Sequence, residues 1–88
     1  MEKGDLFKLV KNKDLLNETK QALVNRGITR IPIFFSKESF REINPLDFTE
    51  EESEGRIVEV LQDGYRVEFE GRSGIIYRVE KEDIIKAN

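Results

Sequence analysis

Between Gly55 and Ile84 the chain reads GRIVEVLQDGYRVEFEGRSGIIYRVEKEDI, three short β-forming runs separated by two glycine-bearing turns. Runs rich in Val, Ile, Tyr and Phe that alternate with charged residues form strands with one buried face. Asp63-Gly64 lies between the first two runs, and this pair tolerates positive φ at both centres of a type I′ hairpin turn. The segment therefore predicts a three-stranded antiparallel unit.

A two-residue turn at Asp63-Gly64 pairs Gln62 with Tyr65, Val60 with Val67 and Val58 with Phe69. Because side chains alternate between faces, this register places Val58, Val60, Tyr65, Val67 and Phe69 on one core face. An odd loop, such as Gly71-Arg72-Ser73, then sets Phe69 opposite Ile75 and Val67 opposite Tyr77, whereas an even loop turns Arg78 into the core. Parity predicts a loop of three or five residues, with Gly71 and Gly74 available for the left-handed position. The other face carries Ile57, Glu59, Leu61, Arg66, Glu68, Ile76 and Arg78, with Glu59 facing Glu68 and Arg66 facing Arg78. Its interleaved apolar residues predict partial cover by a helix or by another strand.

The first 54 residues carry a helical period. From Asn12 to Gly27, Leu15, Leu16, Thr19, Ala22 and Leu23 recur at three- and four-residue spacing. Asn12 suits the N-cap, Asp14 and Glu18 lie near the start, Arg26 lies near the end, and Gly27 supplies a left-handed stop. A strand is predicted over Thr29 to Ser36, at a sheet edge or kinked, because Pro32 has no N–H to donate to a ladder. Ser39 and Glu42 resemble a capping box and predict one helical turn ending before Pro45. Thr49 to Glu52 offers a second such box and reads as a solvated turn. Gly4 to Val10 fits neither period cleanly; the helix-breaking Gly4-Asp5 pair favours a first strand.

Composition narrows the chemistry. With neither Cys nor His among 88 residues, disulfides, thiolate and imidazole metal sites and the usual general base are all excluded. Glu50, Glu51, Glu52 and Glu54 lack the spacing of a calcium loop, so no metal is expected. Asp47, Glu59 and Glu68 are carboxylates without any accompanying phosphate loop, nucleophile elbow or metal motif, so no catalytic residue, cofactor or enzyme activity is expected. No apolar run approaches the roughly 20 residues that span a bilayer, and Met1 to Asp5 does not read as the start of a secretory leader. The expected address is cytoplasmic.

Net charge is −3 but unevenly distributed: residues 1–44 hold nine Lys/Arg against six Asp/Glu, and residues 45–88 hold six against twelve. Nucleic-acid binding needs a clustered positive face. Lys8, Lys11, Lys13, Lys20, Arg26 and Arg30 are the candidates, although an amphipathic helix ordinarily displays such charges to solvent. Arg56, Arg66, Arg72 and Arg78 are interleaved with Glu59, Glu68, Glu70 and Glu80, which reads as a salt-bridged sheet surface.

Gly55, Asp63-Gly64-Tyr65, Val67, Phe69 and the closing Glu82-Asp83-Ile84 resemble an SH3-like small barrel of the KOW or Tudor type. Gly4-Asp5-Leu6 is similar to the first strand of such barrels, with Lys11 to Ser53 as a long insertion. The resemblance implies a module that binds peptide, protein or nucleic acid. In size and style the chain also resembles small acidic accessory proteins of phages and prophages.

These readings predict a single α+β domain over residues 1–88, with a helix-containing part over 1–54 and a three-stranded antiparallel segment over 55–88: an SH3-like antiparallel small barrel or twisted sheet from Gly55 to Ile84, joined by Thr29 to Ser36, with one main helix, about 12–26, packed against it. The expected role is a noncatalytic protein-interaction module. Candidate contacts are Phe48, Glu50, Glu51, Glu52, Glu54, Asp63 and Arg72, working by charge steering around an apolar anchor. The alternatives are a nucleic-acid-associated regulator using the basic half and an oligomeric structural component. The chain is expected to be a monomer or a small homo-oligomer.

Overall fold

The computed structural model describes residues 1–10, 15 and 17–87. The fold is α+β. Among the described residues, strands β1 (Leu6–Leu9), β4 (Glu54–Val60), β5 (Gly64–Phe69), β6 (Tyr77–Glu80) and β7 (Ile84–Lys86) form one antiparallel sheet in the order β6-β5-β4-β1-β7. Strands β2 (Ile31–Phe34) and β3 (Phe40–Ile43) form a separate hairpin, so the strand expected over Thr29 to Ser36 pairs with the segment after it rather than joining the main sheet. The single described helix, α1 (Asn17–Asn25), precedes that hairpin.

The strand expected at Gly4 to Val10 is β1, an interior strand of the sheet between β4 and β7. Its alternation puts Phe7 and Leu9 in the core and Leu6 and Lys8 outside. In β2, Ile31 and Ile33 point inward and Phe35 continues the inward series just beyond it, all three buried. They lie over the sheet's inner face, where Phe35 meets Phe69 edge-on and Tyr77 face-on. Burial of each such aromatic ring contributes about 1.5–3 kcal/mol, so this ring cluster is a principal tie between hairpin and sheet.

Several expectations are corrected. The β4–β5 turn has Gln62 and Asp63 at its centre, with the Leu61 N–H donating to the Gly64 carbonyl, and neither Asp63 nor Gly64 takes positive φ. A bulge at Val58 then shifts the ladder, so that Ile57 faces Val67, Glu59 faces Arg66 and Arg56 faces Glu68. One extra residue in a strand flips the side chains beyond it. Ile57, not Val58 or Val60, therefore shares the core face with Tyr65, Val67 and Phe69, and Val60 is exposed. Glu59 consequently does not face Glu68.

Within the β5–β6 ladder Val67 faces Tyr77 and Arg66 faces Arg78 as expected, but the ladder stops there: Phe69 does not pair with Ile75, which lies before β6 and is exposed. The loop between them, residues 70–76, is longer than the three or five residues expected, because the pairs beyond Val67 and Tyr77 do not form; its odd length still keeps Tyr77 on the core face. It contains a 3-10 turn at Glu70–Arg72, and Gly74 takes the left-handed conformation.

Ser39 to Asn44 is no helical turn. Phe40–Ile43 pairs with β2 instead, because Ile43 gains a buried position opposite Ile31 that a helical turn would forgo. Thr49 precedes a 3-10 turn, Glu50–Glu52, without capping it through its side chain. The outer face of the main sheet is open rather than covered; its charges pair laterally, Lys8 with Glu54 and Arg56 with Glu68. Strand β2 lies over the inner face instead.

The helix expected over about 12–26 is described from Asn17 to Asn25; Asn12, Asp14 and Leu16 lie outside the described residues. Leu15 and Leu23 pack on the core as expected, but Thr19 and Ala22 are exposed. The helix rests on the short 3-10 segment Pro45–Asp47 rather than on the sheet, which narrows its buried stripe. Its C-terminus follows the glycine signal: Gly27 has φ 81°, its N–H donates to the Val24 carbonyl, and the Ile28 N–H donates to the Leu23 carbonyl. These are the two bonds of a Schellman motif, and Ile28 and Leu23, the two positions that often meet in it, are both partly buried against the core.

Gly55 is demanded by close approach. A Cβ there would run into the Glu68 carbonyl across the β4–β5 ladder, so only hydrogen fits.

Candidate interaction site

A concavity of about 620 Å³ lies between the β2–β3 turn and strand β6. On one side the chain turns through Ser36 to Ser39, held by the Phe35 N–H donating to the Ser39 carbonyl and the Glu38 N–H donating to the Ser36 hydroxyl. On the other side is β6, whose inner residues Tyr77 and Val79 are buried while Arg78 points outward. Ile76 stands at the mouth with half its surface exposed.

The rim is an ion-paired chain. Arg78 Nη1 donates to Glu80 Oε1 at 2.8 Å, Arg78 Nη2 lies 2.9 Å from Asp63 Oδ1, and Lys37 Nζ lies 3.3 Å from the same Glu80 oxygen. Four side chains thus connect the β4–β5 turn, β6 and the β2–β3 turn. The hydrogen bond from Arg78, with Lys37 second, holds the Glu80 carboxyl below its ordinary pKa, and Glu80 and Asp63 raise that of Arg78. All these groups are solvent-accessible, so the pairs are exchangeable rather than locked.

Strand β6 is also the last strand on its side of the sheet. The Gly64 carbonyl points at β4, so by alternation Tyr65 and Val67 direct their backbone groups at β6, where they face Val79 and Tyr77. The backbone groups of Arg78 and Glu80 therefore face away from β5, along the cleft.

The sequence-predicted contacts do not converge. Phe48 is 4% exposed and belongs to the core, with Lys20 Nζ 3.4 Å from its carbonyl oxygen and near its ring. Glu52, read from sequence as part of a solvated turn, is 7% exposed; Arg41 pairs with its Oε1, and its Oε2 has no hydrogen-bond partner among the described residues. Glu54 pairs with Lys8. Arg72 lies with its guanidinium 4.1 Å from the Phe35 ring centroid and donates to the Tyr77 hydroxyl at 3.1 Å. Glu50 and Glu51 are exposed, and Asp63 joins the cleft's ion chain.

Of the basic candidates, Lys8 and Lys20 have the partners just named, Arg26 and Arg30 are exposed, and Lys11 and Lys13 lie outside the described residues. Lys37, Ile76, Arg78 and Glu80 were not singled out as a joint site from sequence. The available signal was local: Ile76, Arg78 and Glu80 recur at i, i+2 and i+4, which places them on one face of a strand.

Among the described residues no group of three or more His, Cys, Asp or Glu is placed to hold a metal ion. No described helix is long and apolar enough to cross a membrane. Compared with protein-family models, with curated proteins and with solved structures, the chain matches none.

Proposed function

We propose that this protein is a noncatalytic interaction module that receives a segment of another protein along β6. The observation carrying this reading is the outer strand β6, which borders the 620 Å³ cleft with exposed Ile76 and the exchangeable Lys37–Glu80–Arg78–Asp63 chain around it. An edge strand offers main-chain hydrogen bonds, an apolar contact adds affinity, and rim charges select orientation. Asp63 is thereby kept from the contacts expected on sequence, and Ile76 takes the anchor role expected of Phe48.

The positions of the sequence motifs support reading the main sheet as an SH3-like small barrel. Gly4-Asp5 leads into β1, Asp63-Gly64 lies at the β4–β5 turn, and Glu82-Asp83 leads into β7. Residues 11–53 would then be an insertion carrying α1 and the β2–β3 hairpin.

Affinity capture from source-cell extract, run with the whole chain and with Ile76→Asp, with and without nuclease, tests the interaction reading. The expected result is a stoichiometric protein that survives nuclease and is lost with the variant. Recovery that disappears with nuclease, or that the variant leaves unchanged, overturns it; the former points instead to nucleic-acid association.

A further inference from the structure

The charges of β6 identify a partner strand. Edge strands commonly carry charge that repels further strands. Here the two outward side chains, Arg78 and Glu80, have opposite signs and sit two residues apart on one face. Their backbone groups also face away from β5, so an added antiparallel strand must form its hydrogen-bonded pairs at positions 78 and 80.

If the added strand is β6 of a second copy related by a two-fold axis, backbone parity allows three registers within the strand. One places Arg78 opposite Arg78, another places Glu80 opposite Glu80, and both oppose like charges directly. The third puts the axis at Val79, so that Arg78 faces Glu80 of the second copy and Glu80 faces its Arg78. Only this register satisfies both the hydrogen-bond parity and the charges.

We infer that two copies of this chain associate through antiparallel β6–β6 pairing centred on Val79. This rests on the reading of β6 as the interaction edge and specifies one of its partners. In the pair, each Glu80 N–H donates to the Arg78 carbonyl of the other copy. The Glu80 carbonyl, which starts the 3-10 turn at Lys81–Asp83, has a second lone pair for the Arg78 N–H. Arg78 exchanges an ion pair within its own strand for one across the interface, while Lys37 remains beside Glu80.

The test is sedimentation equilibrium of the purified full chain from micromolar to near-millimolar concentration, with circular dichroism confirming the fold of each variant. The wild type is expected to rise from 10.3 kDa towards twice that mass. Arg78→Glu alone and Glu80→Arg alone place like charges opposite each other, and each is expected to stay monomeric throughout. Their equimolar mixture restores opposite charges at both positions and is expected to form a heterodimer; the double swap is expected to self-associate again. A wild type that stays at 10.3 kDa, a dimer indifferent to the single substitutions, or a mixture that remains monomeric overturns the inference. If the wild type is monomeric yet Ile76-dependent protein capture succeeds, another protein occupies the edge: the interaction reading stands and the self-association does not. If the charge-swap pattern appears but capture fails, self-association stands and binding of other proteins at β6 does not.

Discussion

Phe35 and Tyr77 stack with ring centroids 5.5 Å apart and planes inclined by 22°, joining the segment just after β2 to β6 of the main sheet. Phe69 meets both rings edge-on, and the Arg72 guanidinium lies over the Phe35 ring. The cleft has one wall on each side of this cluster, so its shape depends on the same rings that hold the hairpin in place.

Removing the central ring is expected to be severe. Phe35 is fully buried, and Phe35→Ala should cost about 3–5 kcal/mol. A small domain has about 5–15 kcal/mol in total, so most of its stability is at stake. Phe40→Ala, at a residue 57% exposed that touches Phe34, should stay within about 1 kcal/mol. Urea unfolding midpoints of the two variants check the contrast.

Arg72 and Tyr77 should be energetically coupled. Arg72→Met removes a cation–π contact and a hydrogen bond to the Tyr77 hydroxyl, for an expected loss of about 1–2 kcal/mol. Tyr77→Phe removes only the hydrogen bond. A double-mutant cycle should yield a coupling of about 0.5–1 kcal/mol, and strict additivity would contradict the bond.

Two glycines should respond to alanine for different reasons. At Gly27 there is open space around a Cβ but the backbone is left-handed, so Gly27→Ala should cost about 1 kcal/mol. At Gly55 the added methyl meets backbone across the ladder, and Gly55→Ala should cost about 3 kcal/mol or more. Chemical unfolding of both variants gives the ranking, and the reverse order would contradict this account of the ladder.

The Glu80 carboxyl has a folded pKa below its ordinary 4.5, chiefly through the Arg78 hydrogen bond. A lowered carboxylate pKa adds stability that is present above the ordinary value and disappears as pH falls through the folded one. At micromolar protein, the stability difference between wild type and Glu80→Gln should therefore hold constant from neutral pH down to about that value. It should shrink as pH drops further. A difference that grew on acidification would have the wrong sign for this interaction, and added salt should diminish it, because the pair is exposed.

The readable parts of the fold rested on short-range patterns. Tyr65, Val67 and Phe69 alternate, and all three are buried; the odd loop keeps Val67 opposite Tyr77; Gly27 ends the helix. The register of β4 was not readable, because the Val58 bulge has no local sequence signature: Val58 is as good a strand residue as Ile57. Ser39 and Glu42 suit a capping box locally, and that preference yields where Ile43 finds a partner in Ile31.

For the candidate site, the sequence displayed the charges but not their neighbours. Glu50 to Glu54 reads as one acidic run, yet the fold buries Glu52 against Arg41, pairs Glu54 with Lys8 and leaves Glu50 and Glu51 exposed. Lys37, Asp63 and Glu80 lie in three separate segments, and only folding brings them to Arg78 and its strand.

By itself the sequence determined the α+β class, the alternation that buries one side of β5 and β6, and the glycine that stops α1, since each depends on contacts a few residues apart or on backbone sterics. Only the tertiary structure decided which face of β4 is buried, that the stretch after Ser39 is a strand, and that β6 ends the sheet beside a cleft. Those outcomes depend on pairing between distant segments, where the gain from burying Ile43, Phe35 or Ile57 against a partner exceeds the few tenths of a kcal/mol by which local preferences differ.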